Sequence, residues 1–157
     1  MSDTKRMALI ATKGTLDMAY PPFILASTAA SLGWEVGIFF TFYGLQLLRK
    51  DLSGIHISPL ANPAMPMPVP MPVLVQTLPG MEAMATSMMK AKMKKKGVAS
   101  LTELRELCQE AEVKFIACQM TVDLFDFQKS DFIDGIEYGG AATFMKFAGE
   151  TDVCLFI

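Results

Sequence analysis

Apolar residues fall along this chain in short unbroken runs separated by stretches of helical spacing, and that alternation carries most of the architectural information. Met7 to Thr12 is a continuous apolar run closed by Lys13-Gly14, the pattern of a central parallel strand buried on both faces. Thr15 to Leu32 then places Ala, Leu, Met and Ile at helical spacing, with Gly33 where a C-cap belongs. Pro21-Pro22 interrupts it, and two residues without amide donors should kink or restart the helix near Phe23. Trp34 to Phe42 predicts a second strand, Leu45 to Lys50 a short helical piece, and Gly54 to Leu60 a third, short strand with Ile55 and Ile57 alternating around His56.

Further along, Gly80 to Lys96 reads as a helix with Met81, Met84, Ala85 and Met88 on one face and Gly97 as its cap. Ser100 and Glu103 form a capping box, followed by a stripe of Leu101, Leu104, Leu107, Cys108 and Ala111. Val113 to Ala117 predicts a strand with Cys118 at its carboxyl end, and Thr121 to Gln128 a short helix. Ile136 to Tyr138 reads as a strand ending in Gly139-Gly140, Ala141 to Gly149 as a helix with Phe144, Met145 and Ala148 inward, and Asp152 to Ile157 as a terminal strand. Strands alternating with helices predict an α/β domain: an open, mainly parallel sheet with helices on both faces.

Residues 59–79 break the pattern. Seven prolines, Pro59, Pro63, Pro66, Pro68, Pro70, Pro72 and Pro79, interleave with Met65, Met67, Met71 and valines, so the segment should be extended or polyproline II-like. Disordered linkers are polar, whereas this one is apolar and reads as an insertion packed on the domain or a neighbour, a lid or interface arm. With that insertion inside it, the length of 157 residues suits one domain spanning 1–157.

Composition narrows the function classes. The apolar share is 52 % and the mean hydropathy +0.35, rich enough to suggest a homo-oligomer that covers apolar surface. A net charge of −2 gives no basic excess, and no nucleic-acid partner is expected. Lysines 90, 92, 94, 95 and 96 gather at one helix end, where they complement the dipole. They also leave open docking of an acidic partner or weak peripheral contact with an anionic membrane. The apolar run Met7 to Ala11 is too short for a signal-peptide core, and Leu32 to Leu48, which contains Glu35, is too short to span a membrane.

Three cysteines, Cys108, Cys118 and Cys154, are an odd number without CxxC spacing, which argues against a disulfide framework and for a cytoplasmic protein. A lone His56 leaves no Cys/His zinc site, so no metal is expected, and the absence of a GxGxxG or GxxxxGK[ST] motif leaves no nucleotide cofactor. Lys13-Gly14 offers only a weak anion-loop signal. Cys118 is the main candidate for chemistry, because ligands of open α/β sheets bind at the carboxyl ends of strands and a helix start favours thiolate. The alternative is a small buried hydrophobe. Cys108 lies on an apolar stripe and reads first as core, second as a resolving thiol for Cys118; Cys154 reads as core.

The run KFIACQMTVDLF, the later DFIDGIEYGGAATFM, the terminal CLFI and the upstream LPGMEAMATSMMK together closely resemble the DsrE/DsrF-like sulfur-relay family, in its larger branch with a Met-rich insertion. The resemblance covers nearly the whole chain and implies a DsrE-like, Rossmann/flavodoxin-like fold. It further implies that Cys118 accepts sulfane sulfur as a persulfide or thiosulfonate and passes it to a partner thiol, within a homo-oligomer. Cys108 then matches a second cysteine common in this branch. One departure is that Leu124-Phe125-Asp126-Phe127 stands where smaller members have a Gly-rich turn, which changes the pocket. The implied function is a cytoplasmic sulfur carrier or sulfurtransferase with donor and acceptor proteins as partners. Its rivals are a thiol-redox enzyme using Cys118 and Cys108, and a non-catalytic oligomeric scaffold.

Overall fold

The computed structural model describes residues 4–60, 62–65 and 69–157, so the extended path expected through Pro66, Met67 and Pro68 lies outside the described residues. Five strands, β1 (Arg6–Ala11), β2 (Glu35–Phe40), β3 (Lys114–Cys118), β4 (Ile136–Gly139) and β5 (Val153–Phe156), form one sheet in the order β4-β3-β2-β1-β5. Every ladder is parallel, as the continuous apolar runs predict. Between them stand α1 (Leu16–Ser31), a 3-10 turn over Phe42–Leu48, α2 (Val73–Gln76), α3 (Met81–Lys95), α4 (Leu101–Glu110), α5 (Gln119–Leu124) and α6 (Ala141–Ala148).

The strand order explains how the helices divide. Connections from β1 through β4 all step the same way across the sheet, and right-handed crossovers then place α1, α4 and α5 on one face. The step from β4 back to β5 reverses direction, which sends α6 alone to the other face. The packing follows. Leu9, Ile38, Phe40, Phe115 and Ala117 meet Phe23 of α1, Cys108 of α4 and Val122 of α5 in the larger core. Ala8, Phe39, Ile116 and Cys118 meet Phe144 of α6, whose ring stacks on Phe39 at 4.9 Å, with Phe147 and Ala148 of the same helix partly buried against them. On this thinly covered face Phe156 is 74 % exposed and Cys154, two residues before it on β5, is exposed as well, as is Met145 of α6.

The amino ends of the strands are tied together. Glu35 accepts from Arg6 Nε and Lys114 Nζ, each at 2.6 Å, while Arg6 also reaches Glu150 at 2.6 Å. The Phe147 ring lies between the cations of Arg6, at 6.0 Å, and Lys114, at 5.2 Å. Gly37 makes room for it, since a Cβ there would stand 2.6 Å from Phe147 Cε1.

Several expectations change. Met145, expected inward, and Cys154, expected as core, are both exposed, because a single short helix covers their face of the sheet. Gly54 to Leu60 is not a strand: Ile55 and Ile57 are buried as the alternation implies, but the backbone bonds to helices instead of a ladder. Leu16 N–H donates to His56 O at 2.9 Å, and Ile57 N–H donates to Thr86 Oγ1 at 3.0 Å. The Pro21-Pro22 pair does not break α1, because burial of Leu16, Ala19, Tyr20, Phe23 and Ala26 holds the helix through the missing donors. Within the proline-rich segment Val73–Gln76 forms a short helix, opened by Pro72 as its N-cap and free of internal proline. The capping box at Ser100 is formed: Ser100 Oγ accepts from Glu103 N–H at 3.2 Å and Ser100 N–H donates to Glu103 Oε2 at 2.6 Å.

Candidate functional site

Cys118 is at once the last residue of β3 and the N-cap of α5, so strand and helix meet at its Cα. In register, Cys118 pairs with Gly139 of β4 on one side. On the other side Phe40, the last residue of β2, pairs with Ala117, and Thr41 follows it directly at the same end of the sheet as Cys118. Gly139 is a close approach: a Cβ there would lie 2.8 Å from the Thr143 side chain of α6. Alternation along β3 points Cys118 toward α6 with Ile116, and it is 4 % exposed.

Burial pushes the Cys118 thiol up, but hydrogen bonding from the Thr121 hydroxyl and amide, the Thr41 hydroxyl and the Met120 amide outweighs it and holds the thiol below its ordinary value. No closed cap bond to the sulfur forms, so these donors converge on it more loosely than on a capping oxygen. The effect is local hydrogen bonding; α5 is too short to supply much of a dipole. A thiol whose pKa is lowered holds a larger share of thiolate, the nucleophilic form, than an ordinary cysteine does at the same pH.

That rim is apolar. Tyr43 stacks on Phe125 at 5.9 Å, Phe42 meets the same ring edge-on at 6.4 Å, and Phe42, Tyr43, Met120 and Leu124 are exposed. The departure noted at Leu124 to Phe127 is thus an aromatic wall. Gly44 seats the turn: a Cβ on it would collide with Ala11 O.

Cys108 is elsewhere. Its sulfur is fully buried on the α1 side of the sheet and donates to Phe23 O at 3.4 Å, and burial pushes its thiol up to about 12. The sheet lies between it and Cys118, and the structure does not bring the two together. Cys154 is exposed on β5 and shares a face with Cys118, three strands away. His56 is part of the segment whose backbone bonds to the start of α1, and among the described residues its buried Nδ1 has no hydrogen-bond partner. Gly14 packs against the Phe42–Leu48 turn, where a Cβ would stand 2.5 Å from Tyr43 O. Among the described residues no three His, Cys, Asp or Glu side chains gather as a metal site requires. A cavity of about 660 Å³ lies between α1, α3, α4 and the loop at Lys50, floored by Leu16, Tyr20 and Met93, and no cysteine lines it.

Two features have no signal in the sequence pattern. Thr41 and Thr121 reach Cys118 only through the register of β2 on β3 and the first turn of α5. Arg105, on the buried stripe of α4, is 4 % exposed and donates through Nη1 to Leu47 O at 3.0 Å and Arg49 O at 2.6 Å, gathering the carbonyls that end the 3-10 turn.

Fold and site together define a class: open parallel α/β domains with a cysteine at the carboxyl end of a central strand. The description of the DsrE/DsrF/DrsH-like family matches residues 3–156, and the chain belongs to that family. It is 67 % identical over 159 residues, 99 % of each chain, to the sulfur carrier protein DsrE2 of Allochromatium vinosum. It is also 35 % identical over 158 residues, 98 % of each chain, to the uncharacterized protein YrkE of Bacillus subtilis. The crystal structure of the ychN protein from E. coli superposes with a TM-score of 0.54 at 11 % identity, covering 98 % of this chain and all of the other, a likeness of fold alone.

Proposed function

We propose that this protein is a sulfur carrier in which Cys118 takes up sulfane sulfur and delivers it to a thiol of a partner protein. The observation that carries the reading is a thiol held below its ordinary pKa at the junction of β3 and α5, in a chain so similar to a protein named a sulfur carrier. In loading, the Cys118 thiolate attacks the outer sulfur of a persulfide R–S–SH; the new S–S bond forms as the old one breaks, its electron pair leaving on R–S⁻. With thiosulfate the same attack expels sulfite. Delivery is the reverse exchange with an acceptor thiolate, so the carrier needs neither an external oxidant nor a cofactor.

Donor and acceptor proteins are the partners, and the apolar rim of Phe42, Tyr43 and Phe125 is the surface they would approach. The protein works in the cytoplasm as a homo-oligomer, a second copy covering Phe156, Cys154 and Met145; parallel sheets are ordinarily covered on both faces. Among the described residues no helix is long and apolar enough to cross a membrane. Exposed Val73, Leu74 and Leu78, with the lysines ending α3, are the surface a weak contact with an anionic membrane would use, and sedimentation with anionic against neutral vesicles decides that. The placement of Cys108 behind the sheet gives no support to a redox pair with Cys118.

Intact-mass spectrometry after incubation with thiosulfate, tetrathionate or polysulfide tests the carrier reading. Wild-type protein should gain reductant-labile sulfur that maps to Cys118, and Cys118→Ser should gain none there. Sulfur found only on Cys108 or Cys154 would remove the assignment.

A further inference from the structure

We propose that the cavity between α1, α3, α4 and the loop at Lys50 is a binding site for a soluble organic anion with an apolar body, of the medium-chain carboxylate class, and that α3 is its movable wall. No residue of it belongs to the Cys118 site, so it stands or falls apart from the carrier reading.

The volume of about 660 Å³ lies within the range of small-molecule sites, about 300–1,000 Å³. The floor is the outer surface of the core: Leu16, Tyr20, Ile55 and Leu101 line it, all four largely buried. Tyr20 spends its hydroxyl on the wall, donating to Ala99 O at 3.0 Å, and leaves its ring to the floor. Met93 of α3 completes this apolar surface. An apolar floor by itself would accept any hydrophobe of the right size.

The rim selects the charge. Lys50, Lys90 and Lys94 stand around it, all exposed, and among the described residues none of the three forms an ion pair. Asp51 and Glu103 share the rim, but each is engaged by its own turn. Asp51 accepts from Ser53 N–H at 2.8 Å and from Ser53 Oγ at 2.9 Å, and Glu103 accepts from Ser100 N–H at 2.6 Å. Three cations without partners face two carboxylates that already have donors, so an acidic head gains contacts where a cationic head finds few. The ligand that matches both surfaces carries its charge at one end and hydrocarbon at the other.

The attachment of α3 suits a wall that moves. Of its 15 residues only Ala85 and Thr86 are buried, and both lie in its first half. There Thr86 Oγ1 accepts from Ile57 N–H at 3.0 Å and donates to Ile57 O at 3.3 Å. The second half, which carries Lys90, Met93 and Lys94 to the cavity, meets the core through partly buried Met89 and Met93. Methionine side chains adjust to an occupant of irregular shape. Left-handed glycines bound the helix, Gly80 at φ 87° and Gly97 at φ 73°, where the chain turns without a Cβ in the way.

Hydrogen exchange of the whole protein, read by mass spectrometry with and without decanoate, locates the site. With decanoate at about ten times its Kd, exchange in peptides covering residues 88–96 should slow by about tenfold, and peptides covering 136–157 should not change. Decylammonium and acetate, which lack the acidic head and the apolar body respectively, should give no protection. In calorimetric titration, Lys90→Gln/Lys94→Gln should bind decanoate roughly tenfold more weakly, and Lys90→Arg/Lys94→Arg about as well as wild type. Equal binding by the glutamine variant, equal protection by decylammonium, protection confined to other segments, or none at about 1 mM decanoate would each overturn the proposal. If the glutamine variant does not fold, the comparison of decanoate with decylammonium and acetate on wild type decides. Protection of the same segments by phosphatidylglycerol vesicles but not by decanoate would make this face a membrane contact and remove the small-molecule site.

Discussion

Cys108 and Cys118, close in sequence, stand on opposite faces of one sheet: Cys108 Sγ donates to Phe23 O among the α1 packing, and Cys118 lies with Phe144 under α6. A disulfide needs Cα atoms within about 7 Å and converging side chains, which two residues separated by a sheet do not offer. Native protein treated with peroxide should therefore form no Cys108–Cys118 disulfide. Because the Cys108 thiol is pushed up to about 12, iodoacetamide at neutral pH should modify Cys118 and exposed Cys154 and spare Cys108 until denaturant is added. Peptide mapping checks both statements; a Cys108–Cys118 disulfide from folded protein would contradict them.

Gly44 holds the turn after β2 against the Ala11 carbonyl, where a Cβ finds no room. Gly44→Ala should destabilise the protein by about 1–3 kcal/mol, as overpacked substitutions do, measured by urea unfolding. It should also slow sulfur loading of Cys118, since displacing this turn moves Thr41 and the Phe42 amide.

Lys114 and Arg6 hold the Glu35 carboxyl below the usual carboxylate range. A carboxylate depressed in the folded state contributes stability that is present above its unfolded pKa of about 4.3 and is lost as pH falls through the lower folded value. Thermal midpoints of wild type should drop toward those of Glu35→Gln as pH falls below about 4, and the gap should be widest near neutrality. A gap that widens on acidification would show the sign to be wrong.

The guanidinium of Arg105 satisfies two carbonyls in a nearly water-free place. Arg105→Met leaves both without that donor and should cost about 2–3 kcal/mol in chemical denaturation. Arg105→Lys, keeping a charge but losing the planar fork, should fall between.

The strands were legible because buried parallel strands write themselves as unbroken apolar runs. The segment from Gly54 to Leu60 was not, because alternation reports which side chains turn inward and says nothing of what the backbone pairs with; here Thr86 and the start of α1 take that part. The position of Cys118 at a strand end was readable from KFIAC followed by QMTVDL. Its threonines were not, since Thr41 becomes its neighbour only through strand register. Cys108 is core, as its place on an apolar stripe implied; its second reading, as a resolving thiol for Cys118, took adjacency in the chain for adjacency in space. Crossover handedness places the α4 stripe behind the sheet, whereas the alternation of β3 turns Cys118 to the front.

The ion pairs of Arg6, Glu35 and Lys114 around Phe147 clamp the sheet where its strands begin, a full strand length from where Cys118 emerges. Anchorage and the proposed chemistry thus occupy opposite poles of the molecule. Substitutions in the loops beside Cys118 leave untouched the knot that keeps the strands in register.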